Sequence, residues 1–268
     1  MKKILITGAT DGIGLETAKV LASSDHHLLM HGRNKDKLDK AIQSVKSIAP
    51  NSTIEGYLAD LSDFADITAL TESILEQHCE VDVIINNAGI FKTAHPITKD
   101  GLDVRFVVNT FAPAIISRAL LPILSEAGRI VNLSSAAQAP IDVDAMAGKK
   151  ALNDDFQAYA QSKLALTIWS HQFAKSLPPK QVSVAVNPAS MLASKMVKEG
   201  FGVAGHDLSV GVKILISAAL SDEFSDASGK YFDNDIKKFS SPHPFANNTS
   251  QCEQVMTSLK AIISKYTA

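Results

Sequence analysis

The strongest constraint on the fold stands at the start of the chain. Residues 2–6 are a short apolar run that ends in Thr7-Gly8-Ala9-Thr10-Asp11-Gly12-Ile13-Gly14, and a helical pattern follows over residues 15–23. A strand that turns through glycines into a helix aims backbone N–H groups and the positive end of a helix dipole at one point, and both attract phosphate. Gly8, Gly12 and Gly14 let the backbone approach a pyrophosphate closely. The spacing is Gly-x-x-x-Gly-x-Gly, not the commoner Gly-x-Gly-x-x-Gly. Taken alone, the segment also reads as an ordinary flexible turn.

The rest of the chain repeats the strand–helix alternation. Strands are predicted near residues 3–7, 27–31, 53–58, 82–86, 128–133 and 182–187, with a seventh at 230–232. Helical patterns lie at 14–23, 35–48, 63–78, 100–124, 155–177 and 208–219. Such alternation implies right-handed crossovers and a parallel sheet covered on both faces. The expected fold class is therefore α/β, a Rossmann-type doubly wound parallel sheet in one domain spanning residues 1–268. That length suits a single domain with a large core. Asn153 or Asp154 can cap the helix at 155, and Pro178-Pro179 ends it. Residues 240–250, rich in Ser, Pro, His and Asn, read as a loop. A short terminal helix is expected over about 251–264. In open α/β sheets, ligands bind at the carboxyl ends of the strands. The glycine turn follows strand one, Asn87 strand four, Ser135 strand five and Pro188 strand six, so all four loops open on one edge.

Tyr159-Ala160-Gln161-Ser162-Lys163 places a phenol and an amine four residues apart, on one face of a helix. A free tyrosine, with a pKa of about 10, is a poor acid–base catalyst near neutrality. A neighbouring ammonium favours the phenolate and lowers that pKa. A phenol so tuned can exchange a proton with a substrate oxygen. Tyr and Lys meet at this spacing in many helices by chance, and a buried core tyrosine is the plainer alternative. Upstream stand Asn86-Asn87-Ala88-Gly89 after the apolar run 81–85, Asn109 after the apolar stretch 104–108, and Ser134-Ser135 after the strand-like 129–133.

These five pieces, in this order, resemble the short-chain dehydrogenase/reductase family over residues 2 to about 235. The resemblance implies hydride transfer between a nicotinamide and a carbonyl or alcohol carbon. It implies Tyr159 as general acid or base and Ser135, the second of the Ser pair, as hydrogen-bond partner of the substrate oxygen. Lys163 would tune the phenol and bind the nicotinamide ribose, and Asn109 would hold a water linking Lys163 to solvent. Gly8, Thr10, Asp11, Gly12, Ile13, Gly14, Asn87, Ala88, Gly89, Pro188 and Ser190 are the further expected cofactor contacts. Asp60 and Leu61 match the position that flanks the adenine. The family also implies homodimers or homotetramers through helices matching 100–124 and 155–177.

An acidic residue at the end of strand two would select NAD by gripping ribose hydroxyls. Here that end reads Met30-His31-Gly32-Arg33-Asn34, with Arg33 and no carboxylate. A guanidinium suits a 2′-phosphate in charge and in bidentate geometry. NADP(H) is the expected cofactor, with NAD(H) the alternative. Asp11 puts a negative charge near the phosphates and opposes this choice, and Arg33 can also be read as a solvated loop charge.

The chain departs from the family in two places. Ser135 and Tyr159 are separated by a longer segment than in many members, a form that looks like the subgroup containing retinol dehydrogenases and related carbonyl reductases. The tail Ala227-Ser228-Gly229-Lys230-Tyr231-Phe232 is similar to that subgroup too. The extra segment, 136–155, is expected as a loop over the active-site mouth or as a solvated excursion. After strand six, Ala189 replaces a usual Gly and Ala193 a usual Thr. Ser190 or Ser194 could supply the lost hydroxyl, and the Ala189 methyl could shift the backbone. Residues 191–207, with Gly200, Gly202 and Gly205, are expected to form a glycine-hinged lid. Met191, Met196 and Phe201 from this segment, facing Phe91 and His95, are expected to line a pocket for a hydrophobic aldehyde, ketone or alcohol.

Twenty-six Lys and Arg against 28 Asp and Glu give a formal charge of −2, which signals neither a nucleic-acid nor a membrane-surface partner. The apolar run after Lys2-Lys3 is too short for a signal sequence, and no stretch is long enough to span a bilayer. Cys79 and Cys252 read as packing residues, and a cytoplasmic protein is expected. The eight histidines offer no metal pair, so the reaction is expected to be metal-independent. A cofactor-binding regulator or scaffold without chemistry is the rival, but it would have no use for both Tyr159 and Lys163. A sugar-nucleotide epimerase would need a larger C-terminal lobe.

Overall fold

Burial without alternation marks the central strands. β1 (Lys3–Ile6), β2 (His27–Gly32), β4 (Val81–Asn86) and β6 (Val182–Asn187) are buried almost throughout, as strands covered on both faces must be. The computed structural model describes residues 1–266, with the side chains of Lys195, Glu199 and Phe201 outside the described set. With β3 (Ile54–Leu58), β5 (Leu124–Leu133), β7 (Tyr231–Asp233) and β8 (Lys238–Ser240), these strands form one sheet in the order β3-β2-β1-β4-β5-β6-β7-β8. Ile4 pairs with both Leu28 and Val83, which puts β1 inside the sheet, between β2 and β4. Every pairing from β3 to β7 is parallel. Only β8 runs antiparallel, in a hairpin with β7, so the expected loop at 240–250 begins inside a strand.

Helices cover both faces. On one side α1 (Gly12–Ala22), α2 (Lys35–Ile48) and α9 (Leu208–Leu220) pack Leu21, Leu38, Val45 and Leu215 against the sheet. On the other, α3 (Phe64–Gln77), α5 (Ala112–Ala119), α7 (Asp155–Ala174) and α10 (Thr249–Ile263) contribute Ile67, Ile115, Leu164, Trp169 and Leu259. Polar residues set the helix starts. The carboxamide of Asn34 accepts from Lys37 N–H at 3.0 Å, and Asp154 accepts from Phe156 N–H and Gln157 N–H. Each satisfies a backbone donor that the helix leaves unpaired.

The region expected as one helix over 100–124 is broken. It begins at α4 (Val104–Phe106), passes through a π-helical turn (Val107–Phe111) and continues as α5. The segment 136–155 is not a solvated excursion, and none of it lines the crevice at the carboxyl edge of the sheet. It contains α6 (Val143–Met146), and Ile141, Ala145 and Met146 are buried in the core. Among the described residues no helix is long and apolar enough to cross a membrane.

Candidate active site

The glycine turn after β1 is held from two sides, by the loop after β4 and by β2. Asn87 Nδ2, at the end of β4, donates to the carbonyls of Thr7 (2.8 Å) and Gly8 (2.9 Å). Ala88 N–H donates to Thr7 Oγ1 at 3.0 Å. From β2, His31 Nδ1 accepts from Gly8 N–H at 3.1 Å. Gly8 has φ +65°, and a Cβ there would stand 2.8 Å from Ala88 Cα. At Gly14 a Cβ would overlap Gly8 O and Asn87 Nδ2. Glycine at these two positions is thus a requirement of the close approach between the β1 and β4 loops.

This turn floors a crevice of about 390 Å³ at the carboxyl edge of the sheet. Gly8, Thr10, Asp11, Gly12, Ile13, Gly14, Arg33, Asp60, Leu61, Asn87, Ala88, Gly89, Pro188, Tyr159 and Lys163 all line it. Lys37, one turn into α2, faces the same end as Arg33. The lining fits a dinucleotide: a floor with no room for side chains, the amino end of α1 opening on it, and two cations at one extremity.

Tyr159 and Lys163 stand at the other extremity. Tyr159 faces Ser135, whose side chain favours the ionised phenol. Ser134 is the serine of the pair in the crevice lining, but its hydroxyl turns to α7, where it meets Thr167 Oγ1 at 2.6 Å. Lys163 Nζ donates to Leu133 O at 2.7 Å and lies 5.7 Å from the Tyr159 ring centroid. Burial depresses Lys163 to about 7, and burial also raises the Tyr159 pKa, with the Ser135 side chain opposing. Desolvation acts on both groups and disfavours the charged form of each, so the phenol is not lowered as expected.

Asn109, fully buried in the π-helical turn, lies behind Lys163. Its Nδ2 donates to Ile90 O (3.0 Å) and Ser162 Oγ (2.9 Å), and its Oδ1 accepts from Ile90 N–H (2.8 Å). The side chain thereby ties the loop after β4 to α7. A π-helical turn is a recurrent feature of functional sites.

The profile described as short chain dehydrogenase matches residues 2–201. The chain belongs to the short-chain dehydrogenase/reductase family. It is an NAD(P)-dependent oxidoreductase acting on CH–OH or C=O groups. Bovine retinol dehydrogenase 12 is 31% identical to it over 264 residues, covering 93% of this chain and 83% of that protein. Human retinol dehydrogenase 13 is 28% identical, covering 90% and 78%, and human polyprenol dehydrogenase 29%, covering 92% and 81%. Among solved structures, an uncharacterized protein from Mycobacterium paratuberculosis aligns with a TM-score of 0.80 at 21% identity, covering 98% of this chain and 94% of that one. A short chain dehydrogenase from Shigella flexneri, complexed with NADP, aligns with a TM-score of 0.69 at 22% identity, covering 87% and 97%.

Several expected contacts of this short-chain dehydrogenase fall elsewhere. Ser190 turns away from the crevice: its N–H and hydroxyl both bond to Asp235, at 2.7 and 2.5 Å. Of the two serines weighed as the missing hydroxyl, Ser194 is the one in the lining. His95 is exposed and Met191 sits at the base of its segment, and neither lines the crevice. Phe91 and Met196 do. The side chain of Phe201 lies outside the described residues. Gly202 ends α8 (Lys195–Phe201) at φ +69° with open space around it, whereas Gly200 and Gly205 allow close packing. A Cβ at Gly200 would strike the Phe91 ring at 2.5 Å, and one at Gly205 would stand 2.6 Å from Ala193 Cα. The segment is also stapled at its base, where Ala193 N–H meets His206 O (2.7 Å) and His206 N–H meets Met191 O (2.6 Å).

Sequence reasoning missed His31 and Lys37. Lys37 was legible as a cation four residues beyond Arg33 at a capped helix start. His31 was not, because a histidine inside a buried strand gives no pattern of its own.

Proposed function

We propose that the crevice holds NADP(H) and that the enzyme interconverts a small, hydrophobic aldehyde or ketone with its alcohol. The observation that carries this reading is the pairing of Tyr159 and Lys163 in one glycine-floored crevice that also carries Arg33 and Lys37. Bound there, the cofactor supplies or accepts hydride. The protein supplies position and proton. Tyr159 gives its hydroxyl proton to the substrate oxygen in reduction and takes it back in oxidation. Ser135 donates a hydrogen bond to that oxygen as charge develops on it. Lys163, whose charged form burial disfavours, stands 5.7 Å from the Tyr159 ring centroid and donates to Leu133 O. The Asn109 side chain is committed to Ile90 and Ser162, so a water relay at this residue would use its main-chain carbonyl.

Phe91 forms one wall of the substrate site, its ring centroid 5.2 Å from that of Tyr159 and 6.4 Å from that of the exposed Phe156. Met196 approaches from the segment 191–207, which we read as a lid. These apolar groups support a hydrophobic substrate, and a carbonyl reductase is the form of activity we favour. A cytoplasmic location belongs to the same reading. α10 covers the surface through which dimers or tetramers were expected, so a single chain is the state we favour.

The test is NADPH oxidation by the purified protein against a panel of aliphatic and aromatic aldehydes and ketones, with Tyr159→Phe beside it. Turnover is expected, with a loss on the order of 10²–10⁴-fold in kcat for the variant. Tight NADPH binding without turnover on any substrate would favour a regulatory protein instead. Arg33→Ala is expected to lower the NADPH-to-NADH ratio of kcat/KM by about tenfold or more. An unchanged ratio would remove Arg33 from the assignment.

A further inference from the structure

Beneath the glycine turn lies a buried histidine that hydride chemistry does not use. His31, in β2, is 2% exposed. Its Nδ1 accepts from Gly8 N–H at 3.1 Å, and its Nε2 lies 3.0 Å from Ala59 O. A carbonyl oxygen only accepts, so Nε2 carries the hydrogen. An N–H only donates, so Nδ1 is bare. The surroundings therefore select one neutral tautomer. The main chain of the same residue takes Ala9 N–H at 2.9 Å. One residue thus holds two successive amides of the turn, while Asn87 holds the carbonyls of Thr7 and Gly8.

We propose that His31 is a positioning residue for dinucleotide binding, and that its protonation sets Nδ1–H against Gly8 N–H, opens the turn and lowers cofactor affinity in acid. Burial supports this arrangement by holding the imidazole below its ordinary range, so that it is neutral at neutral pH. Asp60, from the loop after β3, and the Ala59 carbonyl act the other way. Asp11, Arg33 and Lys37 line the same crevice, and Lys163 at its far end titrates near 7. These groups, and the cofactor's 2′-phosphate, are common to wild type and His31 variants.

The proposal rests on the reading that the crevice binds NADP(H), and one experiment separates the two. NADPH affinity is measured by fluorescence titration at about pH 7.5 and about pH 5 for wild type, His31→Asn and His31→Ala. The Asn carboxamide can accept from Gly8 N–H but cannot titrate. Wild type is expected to lose about tenfold more affinity on acidification than His31→Asn does, a ratio that a merely structural role would not move. His31→Ala is expected to bind more weakly than His31→Asn at neutral pH. Equal acid-to-neutral ratios in wild type and His31→Asn overturn the His31 proposal alone. No NADPH binding by wild type at either pH overturns the cofactor reading with it.

Should the variants fold poorly, ¹⁵N chemical shifts of the wild-type imidazole decide the point. An Nε2–H tautomer is expected, with a His31 pKa that NADPH lowers, since linkage is reciprocal. Simple proximity to a polyanion would raise it. An Nδ1–H tautomer, or a pKa that NADPH raises or leaves unchanged, overturns the proposal.

Discussion

Two residues of the site hold conformations or charges that cost stability. Ala189, where the family usually has Gly, has φ +121°, a region that only glycine adopts readily. The backbone has not shifted to suit the methyl. It keeps the glycine conformation, with Asn234 Nδ2 bonding Pro188 O at 2.9 Å and Asp235 bonding Ser190 on the far side. Ala189→Gly is expected to stabilise the protein by about 0.5–2 kcal/mol, strain relief exceeding the added chain entropy. The check is the midpoint of urea unfolding. Lys163 is 3% exposed and depressed to about 7 in the folded protein, against about 10.4 unfolded. Between those values the unfolded chain binds more protons, so this group makes stability rise with pH across the window. Lys163→Met is expected to abolish most activity yet raise stability near pH 7 by roughly 1–3 kcal/mol, with the gain shrinking toward pH 10. Unfolding midpoints of both proteins against pH measure this. A constant difference would refute the burial account.

At the scale of elements, a buried arginine joins the two helical segments that bring Asn109 and Tyr159 together. Arg105, on α4, is 1% exposed. Its guanidinium donates to both carboxylate oxygens of Asp103, at 2.8 and 2.6 Å, and to Asp155 at 2.5 Å. Arg105 precedes Asn109 by four residues, and Asp155 precedes Tyr159 by four, so the pair fixes the π-helical turn against the first turn of α7. Arg105→Leu would leave Asp103 buried without its cation, at an expected cost of about 3–5 kcal/mol, readable in urea unfolding. None of this was legible in advance. The hydrophobic pattern of residues 100–124 announces one helix, and only the tertiary contacts of Arg105 and Asn109 explain why it starts late and bulges. The glycine turn and Asp154 were legible because local chemistry fixes them: a positive φ, a close approach, an unpaired amide. Ser190 was misread because its fate depends on Asp235, a residue far along the chain.

The whole molecule is closed around α7. Residues 160–170 of this helix are buried without a break, which a single amphipathic face against the sheet cannot produce. β5 and β6 cover one side, the π-helical turn another, and α10 a third, with Val255, Leu259, Ile262 and Ile263 joining the same core as Leu164 and Trp169. Tyr266, beyond α10, stacks on Phe64 of α3 with ring centroids 4.1 Å apart. The C-terminal segment therefore seals apolar surface on the side where the family resemblance anticipates partner helices. Leu259 is 3% exposed, and a carboxylate in its place would meet that core without a partner. Leu259→Asp is expected to cost about 3–5 kcal/mol and to loosen α10 from α7. The uncovered patch should then drive self-association, since large exposed apolar surfaces rarely stay free in water. Sedimentation velocity of wild type and variant at matched concentration tests this. Wild type is expected to run at the mass of one chain, 28.6 kDa, and the variant to shift toward heavier species. A wild-type dimer that the substitution dissociates would show the reverse, that α10 itself is an interface between copies.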